Sequence, residues 1–142
     1  EGKITFSRFL ENENLTLAGD GLRYFSHWIT PEYLPLRYDV RFFVAPAPPG
    51  QKAVHDGVEL TGHVWISPRE ALDRFRSGTF DMVLPTLMTM EELASYETPE
   101  DVFRAAEKKT VRGILTRMEE TDEGIVEYLP DGRAFKNLPP SM

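Results

Sequence analysis

The chain has 142 residues, 41% of them hydrophobic and 11% aromatic, with a formal net charge of -7. That length and apolar content fit one domain with a sizeable core. The acidic balance and the absence of cysteine exclude a non-specific phosphate-binding surface, disulfides, zinc thiolate sites and a cysteine nucleophile, so no nucleic-acid partner is expected.

Thr5 to Glu13 reads as a short helix, with Phe6, Phe9 and Leu10 at helical spacing. Gly19-Asp20-Gly21 breaks the chain, and Leu22 to Ile29 follows as a strand. Pro31 and Pro35 bracket an irregular turn. Arg37 to Ala45 is the clearest strand, its alternation placing Arg37, Asp39 and Arg41 on one face and Tyr38, Val40 and Phe42 on the other. A proline-rich loop, Pro46 to Gly57, leads to a further predicted strand over Val58 to Ile66, in which Val58, Leu60, Val64 and Ile66 oppose Glu59, Thr61, His63 and Trp65.

Ser67-Pro68-Arg69-Glu70 starts a helix that runs to about Arg76 and ends at Gly78, with serine as N-cap, proline at the first helical position and glutamate in the capping box. Leu84-Pro85-Thr86 opens a second helical stretch reaching Tyr96, and Thr98-Pro99-Glu100-Asp101 a third. Strands return at Arg112 to Glu119 and Ile125 to Leu129, flanking Thr121 to Gly124 as a hairpin, with a second turn at Pro130-Asp131-Gly132. No apolar run is long enough to span a bilayer, the opening residues do not read as a signal peptide and the closing Pro139-Pro140-Ser141-Met142 is not a peroxisomal address, so a cytoplasmic protein with no membrane partner is expected.

Three motifs occur in order: Trp28-Ile29-Thr30-Pro31, then Arg37-Tyr38-Asp39 leading to Phe42-Phe43, then Glu59 shortly before Trp65. On these the chain resembles the C-terminal portion of a Nudix hydrolase, in a branch that includes coenzyme A diphosphatase-like enzymes, over roughly Phe6 to Ala106. The resemblance implies an α/β fold, a Nudix-like α/β/α sandwich with a mixed sheet, incomplete at the N-terminus. Residues 1–142 form a single domain in this reading, with 110–142 a C-terminal β-hairpin extension.

The defining signature of that family, G-x5-E-x7-R-E-U-x-E-E-x-G-U, sets several carboxylates on one helix face to hold divalent cations on a diphosphate. No register supplies it. Before Glu91-Glu92, the arginine and glutamate positions hold Leu87 and Met88; before Glu119-Glu120 they hold Leu115 and Thr116; after Arg69-Glu70 the paired glutamates are replaced by Asp73 and Arg74. The signature lies upstream of the tryptophan strand in the family, so the expectation is a missing N-terminal segment or a partner chain that completes the site, with a homodimer as a separate partner expectation.

The implied activity is metal-dependent hydrolysis of a diphosphate linkage in a nucleoside diphosphate derivative, with Mg2+ (or Mn2+) as cofactor and a small-molecule diphosphate as substrate. The alternative is a non-catalytic nucleotide-binding or regulatory module on the same scaffold. By the resemblance, Glu59 is the candidate metal ligand and general base; its plainer role is an exposed strand residue. Arg37, Asp39 and Arg41 are the candidate substrate-binding residues, because the planar guanidinium fork suits phosphate; their plainer role is a solvated strand face that neutralises itself. His55 and His63, with Asp56 and Glu59 between them, sketch a small mixed metal site, whereas His27 stands apart. Trp28 and Trp65 suit core packing or stacking on a base, and Met82, Met88 and Met90 suit gap filling.

Overall fold

The computed structural model describes residues 4–32, 34, 36–122 and 124–136. Pro35, Glu123 of the expected hairpin turn and the Pro139 to Met142 tail lie outside them. The fold is mixed α/β, with four α-helices and two three-stranded sheets among the described residues.

Helix α1 (Phe6–Asn12) is capped by Thr5, whose hydroxyl accepts the Arg8 N–H at 3.2 Å, but it buries none of its residues. Strands β1 (Arg23–Ile29) and β2 (Asp39–Val44) pair antiparallel, with a register shift between Tyr24 and Ser26. Helices α2 (Pro68–Arg76), α3 (Leu84–Ala94) and α4 (Pro99–Lys108) follow, each with proline in its first turn. Strand β3 (Gly113–Leu115) pairs parallel to β1, which makes the first sheet mixed and places β1 at its centre. Strands β4 (Arg117–Thr121), β5 (Gly124–Tyr128) and β6 (Ala134–Lys136) form an antiparallel meander.

The helix starts follow their local chemistry. Ser67 accepts the Glu70 N–H at 3.2 Å, and Thr98 accepts the Asp101 N–H at 3.2 Å while its own hydroxyl donates to Asp101 Oδ2 at 2.7 Å. Helix α2 ends as expected at Gly78. Its φ of 72° lets the Gly78 N–H reach Phe75 O at 3.0 Å and the Thr79 N–H reach Arg74 O at 2.9 Å, satisfying carbonyls the last turn leaves open.

The core lies where one face of the first sheet meets α2, α3 and the meander. Trp28, Ala71, Leu72, Met82, Leu84, Leu87, Met88 and Leu129 form one buried cluster, with Phe42, Ile66, Ile114 and Phe135 packed against it. The gap-filling role expected of Met82 and Met88 is the one they take.

Three sequence expectations are corrected. Val58 to Ile66 forms no strand; residues 45–67 run without regular structure. The Asp56 carboxylate accepts the N–H groups of Val58, Glu59 and Leu60 at 2.9 to 3.1 Å, and the Gly57 N–H closes on Leu60 O, so the backbone groups a ladder would use are spent in a local turn. The apolar alternation accordingly buries little: Val58 is 88% and Trp65 73% exposed. The single strand expected over Arg112 to Glu119 is two, β3 and β4, because the chain changes sheets at Thr116, which is buried. The hairpin gains a third strand, β6, beyond the Pro130-Asp131-Gly132 turn. Among the described residues, no helix is long and apolar enough to cross a membrane.

Candidate functional site

Two groups of chemistry-bearing residues sit on opposite faces of the β1–β2 pair. In the ladder, His27 lies opposite Arg41 and Ile29 opposite Asp39, while Trp28 lies opposite Val40. Alternation therefore sends His27, Asp39 and Arg41 to one face and Trp28, Val40 and Phe42 to the other.

On the first face, His27 Nε2 lies 2.7 Å from Asp39 Oδ1. Asp39 also takes both terminal nitrogens of Arg41, Nη1 at 3.1 Å on Oδ1 and Nη2 at 3.3 Å on Oδ2, in a fork geometry. A carboxylate can hold both groups because it has several lone-pair sites, and Arg41 keeps further donors for a ligand. Tyr24 and Phe43 stack beside this cluster, ring centroids 5.3 Å apart. Gly113 of β3 lies under it: a Cβ there would stand 2.7 Å from Ile29 Cδ1 and 3.2 Å from His27 Nδ1, so a larger residue would require those two side chains to shift.

The expected Arg37, Asp39 and Arg41 trio is thus divided. Asp39 and Arg41 are joined, whereas Arg37 Nε donates to Thr30 O at 3.2 Å and ties the end of β1 to the start of β2. Glu59 belongs to the exposed loop, where its N–H bonds Asp56; no hydrogen bond or ion pair joins its carboxylate to Asp39 or Arg41. His27 is the member the sequence did not indicate, since its link to Asp39 depends on strand register.

His55 and His63 do meet, Nδ1 to Nδ1 at 2.7 Å, with one ring donating to the other. Asp56 between them spends its carboxylate on three backbone N–H groups, those of Leu60 and Val58 foremost, which hold its pKa below the usual carboxylate value. Among the described residues, no group of three or more His, Asp or Glu side chains is placed to hold a metal ion. The donor set present therefore does not by itself fit Mg2+ or Mn2+, which take about six oxygen ligands.

On the second face, a cleft of about 280 Å³ opens between β2, the start of α3 and the meander. Its walls are largely apolar, with Trp28, Pro31, Tyr38, Val40, Phe42, Val83 and Pro85, and it reaches Thr116 and Glu127. Both are buried, each 7% exposed, and the Thr116 hydroxyl donates to Glu127 Oε1 at 2.5 Å. Burial in this apolar setting raises the Glu127 pKa above its ordinary value, against the smaller opposing effect of the Thr116 hydrogen bond. The indole N–H of Trp28 is buried without an acceptor. The sequence signal for Glu127 was its position as the one charge in the run Ile125-Val126-Glu127-Tyr128-Leu129.

A second groove, of about 630 Å³, runs between α3, the segment leading to β3, and the β5–β6 turn. Its charges largely satisfy one another: Lys109 pairs with Glu92, and Arg133 with Asp131 at 2.9 Å and Glu91 at 4.0 Å.

No family model matches the chain, and no solved structure matches it. Over 95 residues it is 32% identical to the hybrid PKS-NRPS synthetase iliA of Neonectria sp. (strain DH2), a match covering 66% of this chain and 2% of that protein. The chain thus spans a very small fraction of the length of that curated relative.

Proposed function

We propose that the polypeptide carrying this chain is a Nudix-type hydrolase of a diphosphate linkage in a nucleoside diphosphate derivative, to which this chain contributes substrate-binding residues on a Nudix-like scaffold. The observation that carries the reading is the ordered set of motifs from Trp28 to Pro31, Arg37 to Phe43 and Glu59 to Trp65. The adjoining placement of the first two on β1 and β2, with Asp39 and Arg41 joined, supports it.

In this reading Arg41 binds a phosphate oxygen. Asp39 holds the guanidinium in a fixed plane, so less freedom is lost when the ligand arrives, and His27 braces Asp39 from the neighbouring strand. The chemistry a divalent cation would supply in this reading is charge neutralisation at the phosphate oxygens and a water of lowered pKa. Glu59, on the loop before α2, is the candidate contributor among the described residues, and the other carboxylates would come from outside them.

The test is diphosphate hydrolysis by the longest natural polypeptide that contains this chain, with Mg2+ or Mn2+, against nucleoside diphosphate derivatives that include coenzyme A. Metal-dependent turnover that falls in Glu59→Gln supports the assignment, and unchanged turnover in that variant removes Glu59 from it. A second reading, a nucleotide-binding module without catalysis, is favoured by the lack of grouped carboxylates among the described residues. Saturable nucleotide binding without turnover would select it over the hydrolase.

A further inference from the structure

We propose that His55 and His63 form a two-imidazole site for a late first-row divalent cation of tetragonal preference, Cu2+ or Ni2+, on the loop before α2. The site is independent of the hydrolase reading, whose cation is a hard one that takes oxygen ligands.

The distance between the rings selects the metal. His55 Nδ1 and His63 Nδ1 lie 2.7 Å apart, with ring centroids 5.0 Å apart and the planes tilted by 45°. Two nitrogen lone pairs this close repel unless a positive centre lies between them, here the proton that one ring donates to the other. A cation bound by both Nδ1 atoms takes the place of that proton, which leaves to solvent, and each ring keeps a proton on Nε2. With metal–nitrogen bonds of about 2.0 Å, adjacent corners of a square-planar or tetragonal site stand roughly 2.8 Å apart, whereas two corners of a tetrahedron stand roughly 3.3 Å apart. The two rings meet the first spacing almost without moving and the second only by separating. Imidazole suits both Cu2+ and Ni2+, and at a given nitrogen site affinity peaks at Cu2+.

The loop brings the ligands together before any metal arrives. Between the two histidines, the Asp56 carboxylate holds the N–H groups of Val58, Glu59 and Leu60, and the Gly57 N–H closes on Leu60 O at 3.0 Å. Binding therefore orders little further backbone. His63 is exposed and His55 half-buried, so the pair is open to an ion from water. Among the described residues no third His, Asp or Glu is placed to join them, and water fills the other equatorial positions. His27, the remaining histidine of the chain, is engaged with Asp39.

The experiment is a calorimetric titration of the chain with CuCl2 alone, followed by electron paramagnetic resonance at one equivalent. Expected is saturation with a Kd of about 10 µM or below and an axial spectrum split by two imidazole nitrogens. His55→Ala and His63→Ala should each weaken binding by about tenfold or more, the loss of one arm of a chelate, whereas His27→Ala should bind as the unaltered chain does. ZnCl2, which favours the tetrahedral spacing, should bind at least about tenfold more weakly than CuCl2. No saturation up to about 1 mM CuCl2, or a spectrum with a single imidazole nitrogen, overturns the proposal. Undiminished affinity in either His55→Ala or His63→Ala overturns the pair, and Zn2+ binding as tight as that of Cu2+ overturns the tetragonal assignment. The nitrogen count is read on the unaltered chain, so it decides the matter even if a variant fails to fold.

Discussion

His27 and Asp39 bond at 2.7 Å across β1 and β2 although neither is the register partner of the other. The contact is diagonal, reaching past the Ile29–Asp39 and His27–Arg41 pairs, and the same carboxylate then holds Arg41. One aspartate thereby organises two other side chains, His27 and Arg41, on one face of the sheet.

Because Asp39 and Arg41 are both about half exposed, their pairing contributes little to stability. Asp39→Ala and Arg41→Ala should each lower the unfolding free energy by no more than about 1 kcal/mol in urea denaturation. Under the proposed function, Arg41→Ala should raise KM for the diphosphate substrate about tenfold, a loss of one charge-assisted phosphate contact. A large stability loss with unchanged KM would make the cluster a structural brace.

Glu127 predicts a pH dependence of the opposite sign to that of a paired carboxylate. Burial raises its pKa in the fold, so the folded state holds the proton more tightly than the unfolded chain. Its contribution is therefore fully present below the ordinary value of 4.5 and is lost as pH rises from there through the raised folded value. Glu127→Gln should flatten that slope in thermal melts taken across this window. A slope that persists in the variant would assign it to another group.

Leu84, fully buried at the start of α3, fills the centre of the cluster between sheet and helices. Leu84→Ala should cost about 2 to 5 kcal/mol of stability, from lost burial and the cavity left behind. Equilibrium denaturation measures it directly, and a cost under 1 kcal/mol would mean the site collapses around the smaller residue.

Asp56 should govern the loop without governing the fold. Asp56→Ala removes the acceptor for three amides, so hydrogen exchange at Val58, Glu59 and Leu60 should accelerate while the global unfolding midpoint stays where it is, as for an exposed site. Acidification should have the same local effect, since the lowered pKa means protection is present above 3.8 and is lost as pH falls below it. Unchanged exchange in Asp56→Ala would show that Gly57 and Leu60 hold the turn unaided.

Local signals carried the helices well. Ser67, Thr98, the prolines after them and Gly78 act through neighbours within a turn, and the structure uses each as its chemistry dictates. Strands depend on partners elsewhere in the chain, and there the reading was partial. The alternation from Val58 to Ile66 looked like a strand, yet nothing in the alternation reveals that Asp56 captures the amides first. The Arg112 to Glu119 run gave no sign of a change of sheet at Thr116, whose reason is the distant Glu127. On the candidate site, the alternation of Arg37 to Ala45 correctly grouped Asp39 with Arg41, but the addition of His27 and the departure of Arg37 to Thr30 are matters of register.

The parallel pairing of β1 with β3 bears on the order of events during synthesis. β1 can pair with β2 as soon as both have emerged, whereas its other edge must wait for a strand that follows α2, α3 and α4. Through that interval the nascent chain carries an open, Phe25- and Trp28-bearing strand, the kind of edge that captures neighbouring chains. Closure of the sheet is thus a late, long-range step in folding, and the danger of misassembly is greatest before Gly113 arrives.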